Sequence, residues 1–124
     1  MTSSRGDRLV QWFWRSPQGV ANTDRVPVFA DASWHDAWPQ PTDTPVPIES
    51  GWTGASSEMS LFSIPRHGSA VNVLFMDGSV RKVGLKELWT LRWHRQFDTA
   101  GPWTKAGGAM PSDWPEWMRG WKDY

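Results

Sequence analysis

The chain has 124 residues, among them eleven tryptophans, ten prolines and eleven glycines but no cysteine, and thirteen basic residues balance thirteen acidic ones. That size fits a single domain, 1–124, able to bury a core without cross-links, and the lack of cysteine excludes a disulfide scaffold and every thiolate metal site. Zero net charge offers no field for nucleic acid or an anionic membrane, and the longest apolar run, Val73-Leu74-Phe75-Met76, falls far short of the ~20 residues of a membrane span.

Residues 1–25 read as an irregular N-terminal segment. Within it Leu9-Val10-Gln11-Trp12-Phe13-Trp14 is β-prone, and Ser16-Pro17 cuts it off. It is too short and broken to be the apolar region of a signal peptide, so no targeting signal is read. Val26-Pro27-Val28-Phe29-Ala30-Asp31 reads as a second strand, which Pro27 confines to a sheet edge or a strand start. Prolines at 39, 41, 45 and 47 then forbid a helix and predict a long polyproline-like loop over 34–54.

The centre reads as a β-hairpin over 71–83. Val71, Val73 and Phe75 share one face of its first strand, and Asn72, Leu74 and Met76 share the other. With apolar residues on most of both faces, this strand is expected at the middle of the sheet. Asp77-Gly78 suits the two positive-φ positions of a type I′ turn. Leu85, Trp89 and Trp93 at i, i+4 spacing, flanked by Leu88 and Leu91, predict a helix over 85–97 whose wide apolar arc means that it packs on two sides or frays before Phe97. Asp113-Trp114-Pro115-Glu116 matches a capping box opening a short last helix, on which Trp117 and Trp121 would share a face. The predicted fold class is α+β: a small antiparallel sheet around the hairpin, packed on one helix and wrapped in long Pro/Trp-rich loops.

His67, nine intervening residues and Asp77-Gly78 resemble the signature of the prepilin-type processing-associated His-x9-Asp-Gly domain. Arg66-His67, Val80-Arg81-Lys82-Val83-Gly84-Leu85-Lys86-Glu87-Leu88-Trp89-Thr90-Leu91, Trp93-His94-Arg95, Gly101-Pro102-Trp103, Asp113-Trp114-Pro115-Glu116-Trp117-Met118 and Lys122-Asp123-Tyr124 are similar to that family's tail. Asp31, Trp34, Trp38-Pro39 and Asp43-Thr44-Pro45 extend the likeness upstream, so it covers most of 26–124. The family's basic leader, processing site and apolar helix are not seen in this sequence, and the chain resembles the C-terminal region of such a protein. The resemblance implies a pilin-like globular head, as in type II secretion pseudopilins, placed in the cell envelope or outside the cell. Its implied partners are protein neighbours in a pilus or pseudopilus-like assembly.

The motif itself reads as structural. Ten residues of strand at ~3.3 Å rise hold His67 and Asp77 about 33 Å apart, too far to share a ligand. Asp77 is expected to form the turn, Gly78 to supply positive φ, and His67 to pin the loop entering the first strand. His35 and His94 have no zinc spacing. A calcium site on Asp31, Asp36 and Asp43, within an acidic and carbonyl-rich loop region, ranks below no metal at all. With no Gly-x-Ser-x-Gly elbow and no phosphate-binding glycine loop, the chain reads as no enzyme and needs no cofactor. Tryptophan supports an alternative, a secreted glycan-binding module using exposed rings. Trp103, Trp114, Trp117 and Trp121 form the predicted interaction surface, whereas Trp89 and Trp93 are read as core.

Overall fold

The computed structural model describes Trp14 and residues 17–33, 37–45, 58–65 and 67–124. The strand expected over 9–14 lies outside them except for Trp14, as does much of the Pro-rich loop. Three strands form one antiparallel sheet in the order β1-β2-β3: β1 is Pro27–Ala30, β2 is Ala70–Phe75 and β3 is Val80–Gly84. The central strand β2 alternates as the sequence predicts. Val71, Val73 and Phe75 are almost fully buried, and Ala70, Asn72 and Leu74 are half-buried on the opposite face.

Pro27 is the first residue of the edge strand β1, where its missing N–H removes no ladder bond. The register of β1 on β2 slips between Pro27, opposite Phe75, and Phe29, opposite Leu74. Beyond Ala30, Asp31 continues the pairing: its N–H donates to Asn72 O at 3.1 Å, and its Oδ2 accepts the Asn72 N–H at 2.8 Å.

The hairpin turn differs from the expected type I′. Gly78 has φ +87°, but Asp77 is not in the left-handed region. The Gly78 N–H bonds to Phe75 O at 2.9 Å and the Phe75 N–H to Ser79 O at 2.8 Å. The loop is therefore the three residues Met76-Asp77-Gly78, a tight turn closed by one left-handed glycine. A single positive-φ position suffices, and Gly78 fills it without the Cβ penalty.

The helix predicted over 85–97 is absent. Only a 3-10 helix forms, at Lys86–Thr90, and the chain is extended at Leu91 (φ −87°, ψ 157°). The cause is competition for carbonyls. The Arg92 N–H, which an α-helix would direct to Leu88 O, donates instead to Arg25 O at 2.8 Å. Leu88 O takes the Trp93 indole N–H at 2.8 Å, Glu87 O takes the Thr90 hydroxyl at 2.7 Å, and Thr90 O takes the Arg25 guanidinium at 3.2 Å. The segment is buried on every side: Leu85, Lys86, Leu88, Trp89 and Leu91 are all essentially inaccessible.

The capping box is also displaced by one turn. Asp113 ends the 3-10 helix Pro111–Asp113 and turns its Oδ2 back to the Met110 N–H at 2.7 Å, and a second 3-10 helix covers Glu116–Met118. Trp117 and Trp121 still meet, edge to face at 5.4 Å, without an α-helix to align them.

One face of the sheet, the 3-10 segments and the loops close over a core of Val71, Val73, Phe75, Val83, Leu88, Trp89, Trp114 and Met118, joined by Met59 and Ile64. Among the described residues, no helix is long and apolar enough to cross a membrane.

Candidate functional site

The motif residues sit around β2 but do not converge. His67 precedes the strand in an exposed turn, and its Nε2 lies 3.1 Å from Asp31 Oδ2, the oxygen that also accepts the Asn72 N–H. Asp77 stands at the far end, on the hairpin tip. Its Oδ1 accepts the Ser79 hydroxyl at 2.6 Å and the Ser79 N–H at 2.9 Å, and these bonds hold its carboxyl below the ordinary aspartate range. Six residues of strand, about 20 Å, separate the two places. The partner of His67 is thus Asp31 across the β1–β2 junction, a pairing that no local spacing announces.

Of the aspartates considered for calcium, Asp36 lies outside the described residues. Asp31 is engaged by His67 and Asn72. Asp43 Oδ2 accepts the Gln40 and Met59 N–H groups, each at 3.0 Å, and the Asp43 carbonyl accepts the Trp89 indole N–H at 2.8 Å. Burial raises the Asp43 carboxyl above its ordinary value, nearby Glu58 adds to this, and the two backbone donors oppose it. No three His, Cys, Asp or Glu residues among those described are arranged to hold a metal ion.

The tryptophans of the C-terminal stretch pack on one another and on the core. Trp114 is 2% exposed and meets Trp89 and Trp103 with ring centroids 5.2 Å apart in each case. Trp103, Trp117 and Trp121 are half-buried against the same core. Trp89 is core, and Trp93 is half-buried, tilted 30° on Phe62 at 4.7 Å.

Two buried polar groups escaped the sequence reading. Lys86 is 1% exposed, with its Nζ 2.8 Å from Asp123 Oδ1, 3.1 Å from Trp121 O and 5.2 Å from the Trp114 ring centroid. His94 is 2% exposed, parallel to the Trp38 ring at 5.9 Å and edge-on to Phe97 at 5.4 Å. Its Nδ1 accepts the Gln96 N–H, which assigns the proton to Nε2, donated to Gln40 Oε1 at 3.2 Å. Burial pushes the imidazole pKa down to about 4, so this histidine is neutral.

The outer side of β1 is the most accessible apolar region described. Phe29 is 71% and Val28 48% exposed, and a groove of about 370 Å³ beside them runs past Ala32, Trp38, Phe62 and Trp93. In the described sheet β1 pairs with β2 alone. Pro27 signalled an edge here, but nothing in the sequence said that Phe29 would face outward. Comparison with protein-family models, curated proteins and solved structures found no match to this chain.

Proposed function

We propose that the chain is a non-catalytic structural and interaction module, the globular head of a pilin-like or type II secretion pseudopilin-like protein in the cell envelope or outside the cell. The apolar edge of β1, on which no described strand other than β2 pairs, carries this reading. An edge strand that pairs on one side with β2, has no described strand on its other side and carries exposed Val28 and Phe29 is a template on which a neighbouring chain can dock, by backbone pairing and by filling the adjoining groove. The strand is short, begins with Pro27 and slips in register, which limits open-ended pairing, but Pro-Val-Phe-Ala carries no charge to repel an apolar partner.

The use made of the ionisable side chains supports a framework role. Asp31, Asp43, Asp77 and Asp113 each direct a carboxylate oxygen at backbone N–H groups that order a sheet end or a turn. The residues of the family resemblance stand at the two ends of the hairpin strand: His67 pairs with Asp31 at its start, and Asp77 and Gly78 form the turn at its end. The glycan-binding alternative gains nothing, because none of the described tryptophans is exposed. Fractionation of native cells tests the proposal: the chain should appear in the sheared-filament or envelope fraction. Confinement to the cytoplasm would overturn it.

A further inference from the structure

On a face that this reading leaves unused, a pocket of about 460 Å³ is lined, among the described residues, by Asn22, Arg25, Thr90, Arg92, Phe97 and Thr99. Its volume suits a small ligand, and no carboxylate stands among these lining residues. Asn22 shapes one wall. It adopts the left-handed conformation (φ 54°, ψ 50°) that asparagine tolerates better than most residues, and its carbonyl accepts the Arg25 N–H, folding the Thr23–Arg25 turn inward.

Both guanidinium groups are positioned by other contacts and keep donors to spare. Arg25 Nη2 bonds to Thr90 O at 3.2 Å and to Thr90 Oγ1 at 2.9 Å. Arg92 is tied to Arg25 through the backbone bond between them, donates from Nη2 to Arg95 O at 3.1 Å and stacks its guanidinium 5.0 Å from the Trp14 ring centroid. A guanidinium has five N–H donors, so each keeps several that face no described acceptor.

The charge is compensated only in part. The nearest carboxylate to Arg25, Glu87, lies 3.9 Å away but is held more closely, at 3.0 Å, by Arg81. Arg92 has no carboxylate partner among the described residues. Asp98, next to Thr99 in sequence, turns its Oδ1 to the Ala100 N–H at 3.0 Å, and Asp24 beside Arg25 is exposed. Two pre-positioned forked donors, flanked by the Thr99 hydroxyl and the Asn22 amide over an aromatic floor, match the geometry of an oxyanion borne on a small polar molecule.

We infer that the Arg25–Arg92 pocket binds a small oxyanion, a carboxylate or a phosphate. The test titrates the full chain, at fixed ionic strength, with glucuronate, with inorganic phosphate and with glucose. Intrinsic tryptophan fluorescence, to which Trp14 contributes, and ligand-observed NMR report binding. Glucuronate, phosphate or both should saturate at about millimolar concentration and weaken as salt is added, and glucose should not saturate. Saturation by glucuronate alone identifies a carboxylate site, and by phosphate alone a phosphate site. Arg92→Gln should weaken binding about tenfold or more with an unchanged melting temperature, and Arg92→Lys should weaken it less. Failure of both anions to saturate, binding of glucose as tight as that of the anions, insensitivity to salt, or undiminished binding in folded Arg92→Gln would each overturn the inference.

Discussion

His94 shows how a residue's surroundings set its chemistry. Its ring is enclosed by Trp38 and Phe97 with both nitrogens hydrogen-bonded, and burial lowers its pKa from 6.5 to about 4. The unfolded chain therefore binds a proton between pH 6.5 and 4 that the folded chain refuses. This stabilising contribution is intact above pH 6.5 and is lost as pH falls towards 4, at most about 3 kcal/mol. Urea denaturation across this window should show that decline in the native chain and a flatter profile in His94→Gln, which keeps amide partners but cannot titrate. The Lys86–Asp123 pair makes a second prediction. Lys86 is almost inaccessible whereas the Asp123 side chain is 27% exposed, so the two deletions are unequal. Asp123→Asn strands an ammonium in the interior and should cost about 3 kcal/mol. Lys86→Met leaves a carboxylate that water reaches and should cost less, and chemical denaturation of the two variants gives the ranking.

At the scale of elements, the legible features were those with a local cause. The β2 alternation, the position of Pro27 and the site of the hairpin turn all follow from neighbouring residues. The number of left-handed residues in that turn did not, because Asp-Gly fits a two-residue loop as well as a three-residue loop that also takes Met76. The 85–97 segment misled for a different reason. Apolar residues at 85, 88, 89 and 91 match one helix face, yet they also match a short segment buried on all sides. What decides is the set of hydrogen-bond partners, and Arg25, which takes the carbonyl of Thr90, lies 65 positions away. Two glycines separate conformational from steric demand. A Cβ at Gly78 meets nothing within 4 Å, so Gly78→Ala should cost only the left-handed penalty, about 1–2 kcal/mol, and Gly78→Asn less. A Cβ at Gly107 would run into the Gly101 carbonyl, so Gly107→Ala should be the more damaging in thermal melts. The Gly107-Gly108 pair belongs to a tight loop organised by Thr104. Its hydroxyl donates to Gly101 O at 2.8 Å and its carbonyl accepts the Gly107 and Ala109 N–H groups.

Across the described residues, the sheet is sealed on the β3 side, and no described strand pairs with the outer edge of β1. The C-terminal stretch seals the β3 side: Asp123 meets Lys86, Tyr124 O accepts the Lys105 N–H, and the Tyr124 ring lies so close to Gly84 that a Cβ there would come within 2.9 Å of its hydroxyl. Burial raises the Tyr124 phenol pKa, as does nearby Glu87, against the opposing charge of Arg81. Most of the tryptophan that dominates the described composition is spent on this sealing and on the core. Pro27 marked the β1 edge in the sequence, but the exposure of Phe29, the groove beside it and the Arg25–Arg92 pocket could not be read there, since each depends on segments far apart in the chain and on which side chains the packing leaves outside. The β1 edge is the one on which the proposed role depends. Phe29 is 71% exposed, so Phe29→Asp should leave the melting temperature nearly unchanged while removing association with neighbours. The most direct test places a photo-reactive phenylalanine at position 29 in native cells, with position 110, also exposed at 61%, as the control. Cross-linking from position 29, and not from 110, to a second copy of the chain or to another subunit of a surface filament is the predicted result. No cross-link from position 29 in assembled filaments would contradict it.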